Sequence, residues 1–159
     1  MKNRKLLVVV DESPATRKAL EYVAQMVAGR DDFQICLAHS LVAQPPELVE
    51  FRGAERSRLS AYKDRWKLSD ERTEHRVLKR ANAILREGGI DGAAVEAHSC
   101  NLVDGTRATR AILELAREKK CDTIVVGRKS LSWLSELIDG NPAEELVNKG
   151  KGFTIWVVE

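Results

Sequence analysis

Few residues of this chain have types and positions suited to chemistry. Asp11 closes the apolar run Leu6 to Val10. A carboxylate there could accept from ligand hydroxyls or face a metal-bound phosphate. A longer candidate is the loop between Gly127 and Gly140, which carries Arg128, Lys129, Ser130, Ser132 and Ser135 and leads straight into Asn141-Pro142. A glycine turn that feeds a helix start suits an anion, because unpaired backbone N–H groups and the helix dipole point the same way. The basic side chains would add charge and the serines hydroxyls. The same stretch also reads as plain structure. Gly127 lets the chain turn, and Asn141-Pro142-Ala143-Glu144 is a capping pattern with proline in the first turn. Asn141 would then take the N–H groups that a phosphate needs. The loop by itself leaves both readings open.

The other reactive types are dispersed. Cys36, Cys100 and Cys121 form no Cys-x-x-Cys pair, and His39, His75 and His98 show no metal-ligand spacing with them. They read as small buried residues in a reducing compartment, with no metal expected. A Walker A loop is missing, and Asp11 has no evident base beside it, so no catalytic residues and no enzyme activity are expected. The formal net charge is +2, too weak a surplus to suggest nucleic acid. No apolar run reaches the ~18 residues of a membrane span. The basic start, Met1 to Lys5, precedes too short an apolar stretch for a signal peptide. A cytoplasmic protein is expected.

The elements that must position these residues are legible as alternating patterns. Five apolar runs read as strands: Leu6 to Val10, Phe33 to Ala38, Ala93 to Ala97, Thr123 to Val126 and Thr154 to Val158. The first, fourth and fifth are nearly continuous in Val, Ile and Leu, as in strands covered on both faces. Helical spacing appears over Pro14 to Ala28, Thr106 to Lys119 and Pro142 to Lys149. Ser13 is the expected N-cap of the first. The charged stretch Pro45 to Glu87 reads as a loop or short helix and then one long amphipathic helix, with Leu59, Tyr62, Trp66, Leu78, Ala81 and Leu85 inward. Trp133 in the long loop is expected to bury against its own domain or across a dimer. With 159 residues and no linker, one domain spanning 1–159 is expected. Strand and helix alternating predict a parallel sheet with right-handed crossovers. The acceptor Asp of a receiver domain would follow the third strand, and none does.

Taken together, Leu6-Leu7-Val8-Val9-Val10-Asp11-Glu12-Ser13, Leu37-Ala38-His39-Ser40, and Cys121 through Gly127 resemble universal stress proteins. Gly140 to Val158 is similar to that family's final helix and strand. The resemblance implies an α/β fold of the adenine nucleotide alpha hydrolase type. Its open five-stranded parallel sheet has order 3-2-1-4-5, with helices on both faces. It also implies a stress-response regulatory module, a homodimer through the last strand, and a cleft for ATP or AMP, with Mg²⁺ only alongside ATP. The site it implies comprises Asp11, Ser13, Ser40, Val126, Gly127, Arg128, Lys129, Ser130, Gly140 and Asn141. Two positions depart from the family's loop of Gly, two residues, Gly, nine residues, Gly and Ser or Thr. Ser130 replaces the second Gly and Asn141 the hydroxyl residue. Ser has a Cβ that disfavours positive φ and close phosphate approach, and Asn is bulkier than Ser. The alternative is a dimeric stress or scaffold protein of the same fold with a vestigial cleft.

Overall fold

The structure is a computed structural model, and it describes residues 4–42, 56–102, 108–128 and 142–159, with the side chains of 40–42, 56–71, 99–102, 108 and 142 set aside. Among the described residues five strands and four helices alternate: β1 (Arg4–Val10), α1 (Pro14–Val27), β2 (Phe33–Val42), α2 (Arg56–Glu87), β3 (Val95–Leu102), α3 (Ala108–Glu118), β4 (Thr123–Gly127), α4 (Pro142–Lys149) and β5 (Thr154–Val158). The sheet order is β3-β2-β1-β4-β5 and every pairing is parallel. This is the expected open α/β sheet. It also excludes a receiver domain on topology, since that fold places β3 beside β1.

The centre of the sheet explains why its sequence is so apolar. β1 and β4 are covered on both faces, and Leu7, Val8, Ile124, Val125 and Val126 have no exposed surface. Burying each such side chain contributes about 1.5–3 kcal/mol. Alternation then sends Leu6, Val8 and Val10 toward α1 and α2, and Leu7 and Val9 toward α3 and α4. The two helical layers are held differently. α1 and α2 approach so closely that a Cβ on Gly88 would meet the Cβ of Ala24 at 2.4 Å. α3 ends in a Schellman turn, with Cys121 N donating to Ala116 O and Lys120 N to Arg117 O. The left-handed residue there is Lys120 (φ 56°) rather than glycine. This turn curls Cys121 back under the sheet.

Several expectations need correction. β2 runs on to Val42, past the apolar run. β3 starts two residues later than its apolar run, because Asp91 accepts from Ala93 N and winds 92–94 into a 3₁₀ turn; it then continues to Leu102. β5 is not covered on both faces: it is an edge strand, with Thr154 and Val157 exposed. Ser13 occupies the N-cap position of α1, yet its side chain caps nothing there. The charged segment does form one long helix, α2, of 32 residues, whose Val77, Ala81 and Leu85 reach the core with Leu78 against it. Leu59, Tyr62, Trp66 and Trp133 lie outside the described side chains. Trp156 packs on the α1–α2 side, edge-on to Tyr22 with ring centroids 5.9 Å apart. Among the described residues no helix is long and apolar enough to cross a membrane.

Candidate functional site

At the carboxyl end of the sheet β1 stops at Val10, and the chain turns into α1 through Asp11, Glu12 and Ser13. Asp11 is the organiser of this turn. Its Oδ1 accepts from Ser13 N at 2.8 Å, from Thr16 Oγ1 at 2.7 Å, and from the Ser13 hydroxyl. Thr16 Oγ1 in turn accepts from Asp11 N at 3.0 Å. A carboxylate at a helix start also suits the positive end of the dipole. Asp11 therefore acts in place of Ser13 as the stabilising acceptor at this helix start. Serine hydroxyls bond locally when a carboxylate is two residues away.

Two cavities flank this turn. The larger, about 630 Å³, lies between the start of α1 and the ends of β4 and β5, and Ser13, Lys18, Arg128 and Glu159 line it. The smaller, about 400 Å³, lies between α1 and α2, and Asp11, Thr16, Arg17 and Arg80 line it. Both fall in the size range of small-molecule clefts. Of the expected site residues, Ser13 and Arg128 meet in the larger cavity, while Asp11 opens on the smaller. Val126 is fully buried under the sheet and Gly127 is buried beside it, paired with Val158. The β1–β2 ladder ends at Val10↔His39, so Ser40 is the first β2 residue past the end of β1. It is not the last residue of its strand. Lys129, Ser130, Gly140 and Asn141 lie outside the described residues.

Two arginines near the cleft are already paired. Arg128 ion-pairs with Glu159, and Arg76 from α2 with Glu12. Glu145 in the first turn of α4 accepts from the buried Thr109 Oγ1 at 2.9 Å and ion-pairs with Lys149 at 2.5 Å. The Lys149 contact holds its carboxyl below the usual range. Two acids, Glu144 and Glu145, thus stand at the start of α4. Beneath the cleft, His39 is buried and its Nδ1 has no hydrogen-bond partner among the described residues. Burial pushes its imidazole pKa down, against the pull of Glu74, Asp11 and Glu12.

Residue reading missed Thr16, Lys18 and Glu159. Thr16 carried a signal, since Asp-x-Ser-x-x-Thr puts three mutually bonding side chains at one helix start. Glu159 also follows a strand end, the position at which ligand groups gather in such sheets.

With this geometry in place, the similarities to known proteins are coherent. The Universal stress protein family model matches residues 2–152, and the chain belongs to that family. Among solved structures, a universal stress protein in complex with cAMP is similar at 18% identity and TM-score 0.61, covering 100% of this chain and 98% of that one. A universal stress protein from Archaeoglobus fulgidus in complex with dAMP matches at 19% identity and TM-score 0.61, covering 100% of both chains. Universal stress protein UspA from Lactobacillus plantarum matches at 13% identity and TM-score 0.68, covering 100% and 99%. At these identities the structural likeness speaks for the fold. No curated protein matches the chain.

Proposed function

We propose that this protein is a stress-response regulatory module that holds an adenine nucleotide, ATP or AMP, in the cleft between α1 and the ends of β4 and β5. Mg²⁺ accompanies ATP alone. The observation that carries this reading is the convergence of Ser13, Lys18 and Arg128 on one cavity of about 630 Å³ at the carboxyl ends of the strands. Two cations and a hydroxyl suit a phosphate, and the relatives in complex with cAMP and dAMP favour an adenine base. The role we propose is binding rather than catalysis, because the hydroxyls of Ser13 and Thr16 are both committed as donors to Asp11 within the turn that starts α1. We also propose a cytoplasmic homodimer joined through the edge strand β5, whose Val157 is exposed.

One observation favours the second reading, a vestigial cleft in a dimeric scaffold. Asp11 is engaged within its own turn and Arg128 with Glu159. Calorimetric titration with ATP·Mg²⁺ and with AMP decides between them. Micromolar binding, weakened at least tenfold (~1.4 kcal/mol) in Arg128→Ala, is the expected result. No heat up to millimolar nucleotide establishes the vestigial cleft instead.

A further inference from the structure

The opposite end of the sheet carries a polar cluster that the nucleotide cleft does not use. Cys36 on β2 faces Glu96 on β3 as a direct register partner, and His98 stands two residues along β3. Strand alternation therefore puts Glu96 and His98 on one face of β3. Their ligand atoms converge: Cys36 Sγ is 3.8 Å from Glu96 Oε2, and His98 Nε2 is 3.4 Å from the same oxygen. All three atoms lie within 4.8 Å of one another. Cys121, brought back by the turn after α3, is buried just before β4, on the other side of β1 from Cys36.

We propose that Cys36, Glu96 and His98 form a binding site for a borderline-soft divalent cation of the zinc class. The spacing is close to what such an ion needs. Tetrahedral zinc, with sulfur at about 2.3 Å and nitrogen or oxygen at about 2.0–2.2 Å, sets sulfur and oxygen about 3.6 Å apart and nitrogen and oxygen about 3.4 Å apart. Both observed separations fall within a few tenths of an ångström of these, before any side chain moves. The donor set is also right in kind. Thiolate, imidazole and carboxylate together suit zinc and disfavour magnesium or calcium, which want oxygen alone. With the thiol proton released to solvent, thiolate and carboxylate balance the two positive charges. Access is open from one side, since Cys36 is fully buried whereas Glu96 and His98 are 55% and 25% exposed.

Lys5 completes the argument. Its ammonium lies 3.2 Å from Glu96 Oε2, the oxygen at the centre of the cluster. It competes for the carboxylate oxygen that a metal would take, so a bound metal would have to displace it. A water entering from the exposed side would supply the fourth ligand.

The test uses the full chain with Cys100→Ser, so that only Cys36 and Cys121 can supply sulfur. Titration with Co²⁺ is expected to give one equivalent of binding, with a thiolate-to-cobalt charge-transfer band that Zn²⁺ bleaches. Cys36→Ser abolishes the band. His98→Gln weakens cobalt binding at least about tenfold, and Lys5→Met tightens it because the competing ammonium is gone. Circular dichroism checks each variant for folding. If Cys36→Ser fails to fold, the two rim variants decide. A band that is absent, that persists in Cys36→Ser, or that is indifferent to both His98→Gln and Lys5→Met overturns the site.

Discussion

At the carboxyl end of the sheet, the Asp11 turn finds its partners a few residues away; at the amino end, the polar cluster around Glu96 finds them on other strands. Asp11 bonds to Ser13 and Thr16, all within one turn of α1. Cys36, Glu96, His98 and Lys5 come from three strands and meet only once the sheet is assembled. The first arrangement makes a rigid rim whose charges are largely spent before a ligand arrives. The second leaves a thiol, an imidazole and a carboxylate focused on one point, with a lysine between them. The Asp11 turn thus owes its order to the chain, and the corner owes its order to the fold.

Asp11→Ala is expected to hurt most, because it strips the acceptor from Ser13 and the buried Thr16 and leaves their donors unpaired. A loss of about 1–3 kcal/mol in urea unfolding is expected. Asp11→Asn, which keeps the acceptor oxygen, should recover much of it. If Asp11→Ala unfolds like the parent, the rim is not held locally and the contrast between the two ends collapses. A smaller effect concerns His39. Because burial lowers its folded pKa, the unfolded chain binds the extra proton more readily. The stability tied to the neutral ring is then complete above the ordinary imidazole value of about 6.5 and is lost as pH falls toward the lowered folded pKa. NMR titration of the His39 ring should show a midpoint below that ordinary value. A midpoint at or above it would mean that Glu74, Asp11 and Glu12 outweigh burial. The smallest effect belongs to Glu159→Gln. Exposed ion pairs contribute at most about 1 kcal/mol, so stability should barely change. Nucleotide affinity should nonetheless rise as Arg128 is released. An unchanged affinity would show that Arg128 does not face the phosphates.

The same division explains what could be read from the sequence. The continuous apolar strands β1 and β4 and helix α4 were legible because burial on both faces, or a proline start and glycine stop, leaves its mark within one segment. β3 was misplaced at its start because Asp91 imposes a side-chain-bonded turn on residues whose types suit a strand. The composition of β5 reads as a strand covered on both faces, because an edge strand can be as rich in Val and Ile as a central one; its place at the edge came from the strand order that the family resemblance implied, which the sheet bears out. Arg128 was legible in the loop that follows β4, whereas Ser13 read as an N-cap and entered the site only through the family resemblance. The cluster at Cys36 was missed because spacing along the chain was the only criterion for a metal, and Cys36 and Glu96 are sixty residues apart.

The sheet order has a further consequence for how the chain comes to exist. β1 is made before the other described strands and is a central one in the finished sheet, yet its partner β4 is paired through Leu6 and Thr123, more than a hundred residues downstream. A ribosome extends a chain by about 5–20 residues per second. For several seconds, therefore, the nascent β1-α1-β2 unit presents Leu6 to Val10 along an open edge. Such an edge invites pairing with other chains. A newborn copy of this protein is most vulnerable to aggregation in the interval before β4 emerges.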